Sequence, residues 1–142
     1  LMMLAAKKRP KKIAGLIGLA AATDFGNSLY KSLSIKNKNE IKLKGFTKYN
    51  SNGFSYILTK KFFKDAKKNN ILNKPFNFKK PLILIHGMKD EVVSIEMPKK
   101  IMKLAKSKNI QIIYLKSSDH RLSKNSDLRI INSTVDNIRS SI

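Results

Sequence analysis

Two stretches decide how this chain reads: Ile85-His86-Gly87-Met88-Lys89-Asp90-Glu91-Val92-Val93 and Ser118-Asp119-His120-Arg121-Leu122-Ser123. Short apolar runs of strand character precede them, Pro81 to Ile85 and Ile110 to Leu115. Each stretch therefore puts a titratable side chain in the loop beyond the C-terminal end of a predicted strand. In open α/β sheets that is where sites are built.

The pattern around the two loops is regular. A helix is predicted from about Glu96 to Ser107, with Met97, Ile101, Leu104 and Ala105 on its buried face. The loop Lys116–Asn125 leads to a final helix over Ser126 to Arg139, with Leu128, Ile131, Val135 and Ile138 inward. Strand, helix, strand, helix implies a parallel sheet with helical crossovers.

Toward the N-terminus, Leu1 to Lys8 reads as the end of a helix, with basic residues in its last turn and Pro10 as its stop. The continuous apolar run Ile13 to Ala21 reads as a strand buried on both faces, ended by Asp24-Phe25-Gly26-Asn27-Ser28. From Tyr30 to Lys80 the pattern loosens into Lys, Asn, Ser and Gly with scattered aromatics. Thr59 is a predicted N-cap for a helix through Lys68, with Phe62, Phe63 and Ala66 on its apolar face. So long a stretch between two buried strands exceeds a simple crossover and implies an inserted cap, residues 25–80. Phe46, Tyr49, Phe54, Tyr56, Phe62 and Phe63 either line an acyl pocket under that cap or form the cap's own small core.

The formal net charge is +21, which raises a nucleic-acid reading. Of 30 basic residues, however, only four are Arg (Arg9, Arg121, Arg129, Arg139), and the Lys are spread along the whole chain. Bidentate recognition of phosphate and base edges favours Arg. A solvated basic surface is therefore expected, with no specific nucleic-acid site. With no Cys, thiolate catalysis, Cys-ligated zinc and disulfides are excluded. No apolar stretch reaches the ~20 residues a membrane span needs. Lys7 to Lys12 followed by Ile13 to Ala22 imitates a signal peptide, but the helix-prone segment before it and the two Gly (Gly15, Gly18) argue against one.

Acyl transfer from a Ser needs a base to take the hydroxyl proton and a buried acid to hold that base in one tautomer. His120 is the candidate base and Asp90 the candidate acid. Asp90 also suits a turn-capping role, and Asp119 is a rival acid, although a sequence neighbour seldom points at the same ring. An H-G turn can also serve an oxyanion hole when G-x-S-x-G follows it. No Gly occurs after Gly87, so His86 is expected to be a structural turn residue.

These residues resemble the α/β-hydrolase superfamily. His86-Gly87-Met88-Lys89-Asp90-Glu91-Val92-Val93 is similar to the family's acid turn H-G-x-x-D-x-x-V/I-P, with Ser94 in place of the usual Pro. Asp119 to Ser123, together with Ile17 to Phe25, resembles the branch of palmitoyl-protein thioesterases and acyl-glucuronide esterases with their bacterial relatives. Tyr56-Ile57-Leu58-Thr59 resembles that branch's cap. The resemblance implies that Asp90 and His120 are triad acid and base and that the reaction is ester or thioester hydrolysis. It also implies that Leu1–Ala6 is the helix after the G-x-S-x-G-G-W elbow, with the Ser about five residues before Leu1.

The expected fold is thus α/β, the C-terminal half of an α/β-hydrolase parallel sheet, three strands with crossover helices and a cap insertion. Residues 1–142 would form a partial domain, inactive alone, with the Ile13–Ala21 edge open to self-association. A small-molecule acyl ester or thioester is the expected partner, with no metal or organic cofactor, in the cytoplasm of a bacterial-type source or in an organelle. Other hydrolytic uses of the fold, such as a peptidase or lactonase, stay open, as does a non-catalytic remnant or basic binding module.

Overall fold

The computed structural model describes residues 2–51 and 53–140, so the predicted helix start at Leu1 lies outside the described residues. The chain divides into two compact units, residues 1–23 with 71–142, and residues 24–70.

The first unit is built on a parallel sheet of three strands, β1 (Leu16–Leu19), β4 (Leu82–Gly87) and β5 (Ile110–Leu115), in the order β1-β4-β5. Leu16 pairs with Leu82 on one side, and Leu82 with Ile110 on the other. Every residue of the central strand β4 is buried. Its side chains alternate between faces, as a strand's must. Leu82 and Leu84 pack with Met3, Ala6, Phe76, Phe78 and Ile101. Ile83 and Ile85 pack with Ala20, Leu122 and Ile138. Helices α1 (Met2–Lys8) and α5 (Met97–Leu104) thus cover one face, and α6 (Asn125–Ser140) covers the other. Burying one such side chain contributes roughly 1.5–3 kcal/mol, so the continuous run Leu82–Ile85 anchors both layers.

The second unit contains α2 (Phe25–Ser32), α3 (Ile35–Lys44), an antiparallel hairpin of β2 (Phe46–Ser51) and β3 (Phe54–Thr59), and α4 (Lys60–Lys68). Its core is Leu29, Leu33, Ile41 and Leu58, with Tyr49 and Phe63 packed against it. Thr59 caps α4 as expected, its hydroxyl accepting from the Phe62 N–H at 3.0 Å. Ser34 does the same for α3 through Asn37 N–H at 3.1 Å. Gly26 lets α2 and α4 approach closely, because a Cβ there would lie 2.3 Å from Ala66 Cβ.

Several expectations need correction. The stretch read as loose holds two helices and a hairpin, and Phe25 to Ser28 begins α2 rather than merely ending a strand. Ser51 pairs with Phe54 at the end of the β2–β3 hairpin, an element not expected from the sequence. The first strand covers only Leu16–Leu19, since Ala20 turns away with φ 42°. α5 stops at Leu104, because Ala105 bridges to Phe76. Leu128 and Val135 point outward (45% and 40% exposed), and Asp127, Thr134 and Ile138 form the buried stripe.

Candidate active site

The loops after β4 and β5 leave the same end of the sheet, as parallel neighbours must. They are stitched together by backbone hydrogen bonds: Met88 N–H donates to the Leu115 carbonyl (2.9 Å), and Lys89 N–H to the Ser118 carbonyl (3.0 Å). The approach is close enough to require Gly87. A Cβ at that position would lie 2.3 Å from Ser118 O and 2.5 Å from Asp119 O, both rigid backbone atoms.

Within this crossing, Asp90 and His120 meet. His120 Nδ1 lies 2.9 Å from Asp90 Oδ2. The other carboxylate oxygen, Oδ1, accepts the N–H groups of Val92 and Val93, each at 2.8 Å. Turn capping and contact with the imidazole, weighed as alternatives on sequence, are both present, one on each oxygen. The Asp90 side chain is 1% exposed and that of His120 39%. Burial is the largest single influence on the Asp90 carboxyl and raises its pKa. The hydrogen bonds from Val93, His120 and Val92, with the nearby imidazole charge, outweigh it and hold the group below the ordinary aspartate range.

An ionised carboxylate only accepts, so the neutral His120 ring carries its hydrogen on Nδ1. Nε2 then holds a lone pair on the ring's other side, the arrangement a general base requires. Asp119 is engaged elsewhere: its Oδ1 accepts from Arg121 N–H at 2.9 Å, shaping the loop itself. Two residues after His120, Leu122 adopts φ 51° and buries its side chain in the core, which turns the chain sharply there. A left-handed conformation costs a non-glycine residue on the order of 1 kcal/mol, and such outliers gather at functional sites.

His86 corrects another expectation: it is a fully buried residue of β4, not a turn residue. Two further participants carried no sequence signal. Ser118 Oγ donates to Asp127 Oδ1 at 2.7 Å, joining the His120 loop to the first turn of α6. Among the described residues no cluster of three or more His, Asp or Glu is arranged to hold a metal ion. Two surface hollows, lined by Pro10, Lys11, Asn77, Phe78, Lys79 and Lys80 and by Lys8 to Lys12, include no residue of the two loops. No helix among the described residues is long and apolar enough to cross a membrane.

No family model matches the chain. It is 34% identical to the mitochondrial palmitoyl-protein thioesterase ABHD10 of Rattus norvegicus, over 97% of this chain and 48% of that protein. Among solved structures, alpha/beta hydrolase domain-containing protein 10 from mouse matches with a TM-score of 0.86 and 30% identity, over 99% of this chain and 57% of that one. A hydrolase structure from Agrobacterium vitis matches equally well in fold (TM-score 0.86, 96% of this chain and 56% of that one) at 18% identity. The chain spans about half the length of the relatives it matches.

Proposed function

We propose that this chain, a member of the α/β-hydrolase superfamily, supplies the acid and base of a serine hydrolase acting on carboxylic esters or thioesters. The observation that carries the reading is the 2.9 Å contact between the buried Asp90 carboxylate and the half-exposed His120 ring. A Ser in sequence upstream of residue 1 would be the nucleophile. His120 Nε2 takes its hydroxyl proton as the oxygen attacks the acyl carbon, then returns that proton to the departing alcohol or thiol. Water, deprotonated by the same nitrogen, releases the acid and restores the Ser. Asp90 holds Nδ1–H throughout and stabilises the imidazolium that forms at each proton transfer.

The thioesterase name of the relatives supports an acyl thioester as a substrate class. We read residues 25–80 as a cap insertion. Its support is that residues 24–70, which lie between β1 and β4 in sequence, form a compact unit with apolar side chains such as Phe54 and Ile57 exposed, whereas residues 71–80 belong to the sheet unit, with Phe76 and Phe78 in its core. The mechanism draws on no metal or organic cofactor, and a Cys-free chain suits a reducing compartment, the cytoplasm or an organelle.

The test joins the chain to its upstream coding sequence and measures hydrolysis of short acyl esters and thioesters. The extended protein is expected to be active and the 142 residues alone not to exceed background. In the active form His120→Ala and Asp90→Asn should each lower turnover by about 10⁴-fold, because triad members act as a unit. Full activity in either variant would overturn the assignment.

A further inference from the structure

We infer that His86 is a positioning residue, holding the Asp90–Val93 turn in the conformation that presents the Asp90 carboxylate to His120. The inference rests on reading Asp90 as the acid.

His86 is wholly buried in β4, four residues before Asp90. Its Nε2 lies 3.1 Å from the Val93 carbonyl oxygen. A carbonyl only accepts, so Nε2 carries the ring hydrogen and donates it. The same nitrogen is 3.5 Å from Asp90 Oδ2. The N–H of Val93 in turn donates to Asp90 Oδ1 at 2.8 Å. Val93 is thus gripped through both backbone groups, its carbonyl by His86 and its N–H by Asp90, while its side chain is buried. The ring has little freedom to turn. It packs edge-on against Tyr114, its cross-strand partner, at 6.4 Å between centroids, and Tyr114 is tethered through its hydroxyl to the Ile95 carbonyl at 3.1 Å.

The rival explanation is that His86 simply fills space in the sheet. A space-filler is best replaced by an apolar side chain of similar volume, whereas a hydrogen-bonding role needs a donor. Met and Gln separate the two, since Gln can donate to the Val93 carbonyl and Met cannot.

The experiment follows the Asp90 carboxyl by ¹³C NMR through an acid titration of the full chain and of two variants. His86→Gln should keep the depressed Asp90 pKa, and His86→Met should raise it toward the ordinary aspartate value as the Val92 and Val93 hydrogen bonds loosen. An unchanged Asp90 titration in the Met variant, or a larger shift with Gln than with Met, would overturn the inference. A measurement on the unmodified chain guards against a variant that fails to fold. Its ¹⁵N imidazole shifts should show His86 protonated on Nε2, and an Nδ1–H tautomer would sink the idea. None of these readouts involves turnover. In the catalytically active extended protein, His86→Met should lower kcat about 10- to 100-fold with KM kept, and His86→Gln should restore it. If the Asp90 titration moves as expected while turnover does not, the positioning role stands and the triad reading falls.

Discussion

Ser118 Oγ donates to Asp127 Oδ1 at 2.7 Å in the protein interior, and both residues are almost fully buried. This bond ties the loop that carries His120 to the first turn of α6. Ser118 also accepts the Lys89 N–H through its carbonyl, so one residue links the base loop, the acid loop and the helix behind them. The relative placement of Asp90 and His120 is thereby set from outside either residue.

Removing one end of this bond should cost more than its own worth. Asp127→Ala leaves the buried Ser118 hydroxyl without its acceptor, and Ser118→Ala leaves Asp127 Oδ1 only the longer contact from Ser126 Oγ (3.3 Å), each a loss of about 1–3 kcal/mol. Chemical denaturation of the two single variants and the double variant should give a coupling of about 0.5–3 kcal/mol. Strict additivity would mean that the two groups do not act together.

Asp90 should make stability depend on pH in a defined direction. Its folded carboxyl titrates below the ordinary range, so the unfolded chain takes up its proton first as pH falls. The contribution is fully present above about pH 4–5, near and beyond the unfolded value, and is lost as pH drops through the folded value. The stability difference between the natural chain and Asp90→Asn, measured across an acid series, should therefore shrink on acidification. A difference that grows toward low pH would contradict the hydrogen bonding described here.

Gly87→Ala should be poorly tolerated although the added group is a single methyl. The clash is with backbone oxygens of Ser118 and Asp119, which cannot swing aside as a flexible side chain would. A loss of about 1–3 kcal/mol is expected. His120 should also be displaced from Asp90, visible as a changed His120 ring signal in NMR. A variant as stable as the natural chain, with that signal intact, would show the two loops to be farther apart.

The buried stripe of α6 gives a paired test. Ile138→Ala, at a side chain 9% exposed and packed in the cluster with Ile83 and Ile85, should cost about 2–5 kcal/mol. Leu128→Ala, at a side chain 45% exposed, should stay within about 0.5 kcal/mol. Equal losses in urea unfolding would restore the helix face expected from sequence.

Much of the first unit was legible because its signals are local. Leu82–Ile85 is an unbroken apolar run and forms the fully buried central strand, while Ile110–Leu115 is apolar apart from Gln111 and forms its half-buried neighbour. The parallel pairing followed from the helices between them. The second unit was read poorly because its elements are short and rich in Lys and Asn. Only Thr59 declares its helix. On α6, periodicity identified the helix and half of its buried face: Ile131 and Ile138 pack inward as expected, whereas Leu128 and Val135 face out and Asp127 and Thr134 take their place in the stripe.

The sequence by itself determined which residue types stand at the strand ends: an acid at Asp90, an imidazole at His120, and a glycine, Gly87, closing β4 three residues before the acid. Tertiary structure decided how they are used. Asp90 gives one oxygen to the Val92 and Val93 N–H groups and the other to His120, Asp119 turns back on its own loop, and Ser118 finds Asp127 across the fold. The physical reason is range. Strand and helix signals arise from neighbours along the chain, whereas a hydrogen bond between groups thirty residues apart exists only once the sheet has brought two loops to the same edge.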